Sequence, residues 1–154
     1  MRTNDILAAV EAAILDKFPG ERVYRGALPQ EPERPCFSLQ CRRAEMIDVG
    51  VGLVRTQMTL LIACYAEEGD SGVSREALND RQDAVMDIFG RGFLTVGTRA
   101  VSARTDKVVQ TAEFSKVTAV LAWLDGRPDY QDAGDMEIPC MQKIEWKITT
   151  GKEG

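Results

Sequence analysis

The chain has 154 residues, 44% hydrophobic and 28% charged, with 19 Lys and Arg against 24 Asp and Glu, which suits one ordinary domain that buries about two-thirds of its unfolded surface without staples or a structural metal. It contains no histidine, so histidine-dependent triads are excluded, and the commonest general acid/base and the commonest ligand for zinc, copper and non-haem iron are missing. A net charge of -5 argues against a protein that grips nucleic-acid phosphates.

Ile6, Val10, Ile14 and Phe18, with Leu7 and Leu15 beside them, lay one apolar stripe on a helix over residues 4–18. Thr3 or Asn4 is expected to cap it, while Asp5 and Lys17 suit the two ends of its dipole. Pro19-Gly20 stops it. Residues 21–25 suit a short strand, and the three prolines of residues 28–35 force an extended surface loop. From Cys36 the period becomes two, with Phe37, Leu39 and Cys41 on one face and Ser38, Gln40 and Arg42 on the other. A loop holding Asp48, Gly50 and Gly52 leads to a longer strand. Val54, Met58, Leu60, Ile62 and Cys64 share one of its faces, and Arg55, Gln57, Thr59 and Tyr65 share the other. The two strands are predicted to pair as an antiparallel hairpin.

Ser71 or Ser74 is predicted to open a second helix, with Leu78, Val85, Ile88 and Phe89 facing the core and Arg75, Asp80, Arg81 and Asp83 facing solvent. Gly90 is expected to supply a left-handed stop. Residues 93–96 open another strand, expected to continue irregularly past Gly97 towards Ala103. Residues 111–124 form the most apolar strand: Val117, Ala119, Leu121 and Trp123 on one side and Thr118, Val120, Ala122 and Leu124 on the other, a pattern expected where both faces are covered. Asp125-Gly126-Arg127-Pro128 ends it. After a polar stretch over residues 129–135, Ile144, Trp146 and Ile148 alternate with Lys143, Glu145 and Lys147, either as a final strand or as a segment ordered only against a partner.

These elements add up to an α+β fold, a small mixed or antiparallel β-sheet with two helices packed on it, in the order α-β-β-β-α-β-β. Residues 1–125 are read as one domain and residues 126–154 as a C-terminal extension with material for an extra strand. The longest apolar stretches, around residues 60–66 and 117–124, fall short of the ~20 residues of a membrane helix. No secretory leader is read at the N-terminus, so the expectation is an intracellular protein at synthesis, with no membrane contact.

Reactive chemistry is thinly represented. Cys36, Cys41, Cys64 and Cys140 include no C-x-x-C pair and are read as buried, reduced thiols. Glu67-Glu68-Gly69-Asp70 lacks the pattern of a calcium loop and reads as a solvated turn. Gly90-Arg91-Gly92 follows a helix and precedes a strand, the reverse of a phosphate-cradling loop. No catalytic, cofactor-binding or metal-ligating set emerges. Two basic groups are candidates for an interface with an acidic partner subunit: Arg42 and Arg43 with Arg55 across the hairpin, and Arg99, Arg104 and Lys107 in the loop between the last strands. Their other reading is solubilising charge at sheet edges and loops. Trp146, an aromatic on an otherwise charged segment, is a candidate interface hot spot.

The helix ending in Phe18-Pro19, then Val23-Tyr24, Leu28-Pro29-Gln30 and the run Glu33-Arg34-Pro35-Cys36-Phe37-Ser38-Leu39 resemble the phage tail terminator (tail completion) family. The strand over 55–65, the helix over 78–89 and the strand over 114–124 extend that resemblance across residues 3–125. It implies a structural virion protein without cofactor or catalysis. Such a protein assembles with itself as a ring, typically of six subunits, on the end of the tail tube. There it stops tube polymerisation and presents the surface that meets the head-tail connector. The resemblance places it in the virion tail or neck after synthesis in the host bacterial cytoplasm. Its acidic charge suits a pore that DNA crosses without being held, with no specific nucleic-acid binding. The rival readings are another neck or head-completion protein, a DNA-binding connector, and a small binding module or carboxylate enzyme with Cys36 or Cys64 as nucleophile. The last lacks a histidine to activate the thiol.

Overall fold

A computed structural model describes residues 1–108 and 111–127. The sequence expectations for Cys140, Trp146, the polar stretch over 129–135 and the C-terminal alternation lie outside the described residues.

The first helix, α1 (Thr3–Lys17), buries Ile6, Val10 and Ile14 completely, as the four-residue spacing requires. Its start differs from the expectation. Thr3 already lies inside the helix, and the first turn is closed by the Asp5 carboxylate, which accepts the Arg2 backbone N–H at 2.8 Å. β1 (Arg22–Arg25) then pairs in parallel with β2 (Cys36–Gly50). A parallel neighbour needs a crossover and not a hairpin, and the proline-bearing segment over residues 26–35 supplies it. β2 and β3 (Leu53–Tyr65) form the expected antiparallel hairpin.

That hairpin is longer than its sequence suggested. The expected loop around Asp48 shrinks to Val51-Gly52, with Gly52 at φ 75, where a left-handed residue closes a tight turn. Register shifts fall between Cys41 and Arg43 and between Asp48 and Gly50. The first shift exchanges the faces of β2: Phe37 and Leu39 point with Cys64 and Ile62 towards the core, whereas beyond it Ala44 and Met46 take that side opposite Met58 and Thr56.

A two-stranded ribbon, β4 (Glu68–Gly69) with β5 (Gly72–Val73), leads to α2 (Arg75–Ile88). Ser74 caps α2, its hydroxyl accepting the Ala77 N–H at 3.3 Å. Gly92, at φ 81, is the left-handed residue after α2, in place of the expected Gly90. A Cβ at Gly90 would meet the Asp87 carbonyl oxygen at 3.2 Å. The chain closes with β6 (Phe93–Val96), β7 (Arg99–Val108) and β8 (Ser115–Gly126). The irregular continuation expected past Gly97 is a tight turn followed by a full strand, so Arg99, Arg104 and Lys107 stand on β7 and not in a loop.

The six-stranded sheet runs β1-β2-β3-β8-β7-β6, antiparallel except for its first pair. Both helices pack on one face. The core is Ile6, Val10, Ile14, Val85 and Phe89 of that layer against Phe37, Leu39, Met58, Leu60, Ile62, Val101, Val117, Ala119 and Leu121. Among the described residues β8 is covered on this face alone. On its other side Val120 is half-buried and Leu124 is 52% exposed. Val120 is apolar without a covering layer because Thr59 and Arg104, its cross-strand partners, shade it.

Two buried polar residues on α2 escaped the pattern reading. Gln82 donates to the carbonyl of Lys116 at 2.6 Å, and the Ser115 hydroxyl donates to the carbonyl of Leu78 at 3.1 Å, fastening α2 to the start of β8. Arg81, expected on the solvated face, is buried.

Candidate functional site

Cys36 and Cys64 are placed for packing. Burial pushes the Cys64 thiol up to about 12, with the Ser115 hydroxyl only partly offsetting it, and burial likewise raises Cys36. Both shifts disfavour the thiolate, which weighs against Cys36 or Cys64 as a nucleophile. Cys41 corrects the expectation of uniformly buried thiols. It is exposed because β1 pairs with β2 only as far as Leu39, and its S–H donates to the Arg43 carbonyl at 3.8 Å beside the register shift. Among the described residues no three His, Cys, Asp or Glu side chains could share a metal ion, and no helix is long and apolar enough to cross a membrane.

What the fold offers is surface. The sheet face turned away from the helices carries Arg55, Gln57, Thr59 and Leu61 of β3, with Lys116, Thr118, Val120, Ala122 and Leu124 of β8. Two depressions lie at its ends. The larger, about 740 Å³, is lined by Val49, Leu53, Arg55, Arg99, Ala122 and Leu124 among others. The smaller, about 180 Å³, includes Gln40, Arg42, Leu61, Tyr65, Phe114 and Lys116, with Lys116 4.8 Å from the Phe114 ring centre.

The candidate arginines are therefore distributed differently from the sequence grouping. Arg43 stands opposite Thr59 and pairs with Glu45 at 2.8 Å, whereas Arg55 stands opposite Ile47. The two register positions are four residues apart along β3, roughly 13 Å. Arg42 lines the small depression. Arg55 instead shares the large one with Arg99, one member from each expected group. Arg104 stands opposite Val120, exposed, and Lys107 is paired with Asp83.

Arg99 is held by Asp125, whose carboxylate it meets at 2.5 Å, and by the Leu124 carbonyl. The Trp123 indole N–H donates to the same carboxylate at 2.8 Å, and the Met1 amino group lies 3.4 Å from it. Burial opposes the charge on Asp125, but Arg99, Trp123 and the amino group outweigh it and hold the carboxyl below its ordinary range.

The hairpin end is the most apolar exposed part of the described chain. Met46, Ile47, Val49, Val51 and Leu53 are all exposed, Val51 to 75%, and Leu124 adjoins them on β8. Sequence reasoning passed over this group by reading residues around 48–52 as a loop. The run of apolar side chains between Asp48 and Leu53 was the available signal, since a solvated turn does not need them. Beyond Leu39 no strand among the described residues pairs with the outer edge of β2, so the edge over residues 42–50 is open.

No curated protein matches this chain. A family model described as phage tail terminator protein matches residues 5–129. The match spans nearly all of α1, the whole sheet and α2, the layers that position both depressions and the open edge, and the chain belongs to the phage tail terminator protein family.

Proposed function

We propose that the protein works without catalysis, as a subunit of a ring, six-membered in the family's manner, that caps the tail tube, ends its polymerisation and forms the surface joined by the head-tail connector. Family membership supports the tail role. The observation that carries the assembly into a ring is the exposed apolar hairpin end with its open strand edge, a surface that an isolated subunit has no reason to keep in water. A ring requires two different patches that meet head to tail and close on rotation. The Arg55 and Arg99 depression and the Arg42 depression occupy opposite ends of one sheet face, as such a contact needs. The partners in this reading are further copies of the chain, the tail tube protein and the connector; membranes and specific nucleic-acid contacts play no part. In the virion the protein sits at the tail-neck boundary.

The test is removal of the gene from the phage that encodes it, with the chain resupplied in trans. Overlong or ragged tubes and unattached heads, restored to normal by the intact chain, are expected. Tails of normal length joined to heads in its absence would overturn the reading.

A further inference from the structure

We propose that the open edge of β2 over residues 42–50 receives residues 141–149 of a neighbouring copy as an added strand, with Trp146 seated against the apolar hairpin end. The inference rests on the ring reading above and names the contact that closes it.

Four observations lead there. First, the edge is left unprotected where it matters. Natural edges are blunted with charge, proline or bulges, and Arg42, Arg43, Glu45 and the register shift do this at its start. From Met46 to Val51 only Asp48 is charged, and Met46, Ile47, Val49 and Val51 are exposed. Second, the occupant matches the surface. Ile144, Trp146 and Ile148 alternate with Lys143, Glu145 and Lys147, so an added strand lays three apolar side chains beside Ile47, Val49 and Leu53 and turns its charges to the other face.

Third, the chain leaves the fold at this place. The Arg127 N–H donates to the Gly52 carbonyl at 2.8 Å, and its guanidinium pairs with Asp48 at 2.5 Å, which fixes the root of the C-terminal segment at the hairpin tip. Fourth, the tether can reach a neighbour. Residues 128–140 are long enough to span up to roughly 40 Å, whereas a strand added beyond β2 lies three strand spacings from β8, roughly 14 Å. That reach allows a crossing to the next copy.

The experiment uses the full chain with a photoreactive phenylalanine analogue in place of Trp146, prepared as an equal mixture of isotopically heavy and light copies. It is irradiated at high concentration and on tails isolated from producing cells, and the cross-links are mapped by mass spectrometry. Mixed heavy-light cross-links onto residues 42–50 are expected. In parallel, Trp146→Lys is expected to lower ring recovery at least about tenfold, the loss of one hot-spot residue, with an unchanged melting temperature. Cross-links confined to single copies, or rings whose cross-links fall elsewhere, would overturn the strand exchange and leave the ring standing. Monomers alone, in solution and on tails, would overturn the ring reading and this inference with it.

Discussion

Arg81 meets Glu21 end-on, both guanidinium Nη atoms donating to the two carboxylate oxygens across 60 residues of sequence, Nη1 to Oε1 at 2.9 Å. The guanidinium also lies over two aromatic rings, 4.8 Å from the centre of Phe18 and 4.3 Å from that of Phe37. One side chain of α2 thus ties together the turn after α1 and the start of β2. The two side chains are only 10% and 17% exposed, so each needs the other.

Glu21→Gln is expected to destabilise the fold by about 3 kcal/mol, because it strands a buried guanidinium whose Nε already has no hydrogen-bond partner among the described residues. Arg81→Met keeps the contact with both rings and leaves only the more accessible carboxylate behind, so its cost should be smaller. Urea denaturation of the two variants measures the difference; equal costs would mean that packing and not charge pairing dominates.

Asp125→Asn is expected to cost about 1 kcal/mol at pH 7, through weaker bonds to Arg99 and Trp123. The carboxyl of the folded protein lies below its ordinary range, so its contribution is present above the unfolded value of about 4 and fades as the pH falls through the lower folded value. Thermal melts of both proteins should therefore diverge at pH 7 and converge in acid. A gap that persists undiminished in acid would show that the asparagine disturbs packing instead.

In a Cys140→Ser background, a thiol reagent at neutral pH is expected to modify Cys41 in the native protein and to reach Cys36 and Cys64 only on unfolding. Exposure separates the first from the other two, and burial raises both of the latter. Prompt native-state labelling of Cys64 would contradict the packing around β3.

How much of this could be read from residues alone divides along a physical line. Helix α1, the half-buried face of β3 and the buried side of β8 follow from spacing, since period 3.6 and period 2 survive in sequence wherever one face meets a core. The face exchange in β2 did not show, because a single extra residue at Cys41–Arg43 reverses the alternation without changing composition. Arg81 misled for a related reason. Arginine on a helix usually faces water, and only the tertiary approach of Glu21, Phe18 and Phe37 makes its burial tolerable. The pairing of Arg55 with Arg99 was equally hidden, being set by the β3-β8-β7 strand order and not by closeness in the chain. The resemblance carried by the Phe18-to-Leu39 run, in contrast, pointed to the family that matches residues 5–129.

Val51→Asp and Leu53→Asp, at the exposed hairpin end, are expected to change folding stability by less than about 0.5 kcal/mol, as surface substitutions usually do. The same changes should abolish self-assembly, because a charge buried in an apolar contact is costly. Calorimetry with light scattering separates the two effects. Unchanged assembly would remove the hairpin end from the interface.

A capping protein occupies one place in the finished particle. Electron cryomicroscopy of intact tails, with the fold of α1, α2 and the six-stranded sheet fitted to the density, is expected to show a closed ring of this chain at the head-proximal end of the tube and nowhere along its length. Tails whose tube end carries no copy of the fold, or in which it repeats along the tube, would contradict the capping role.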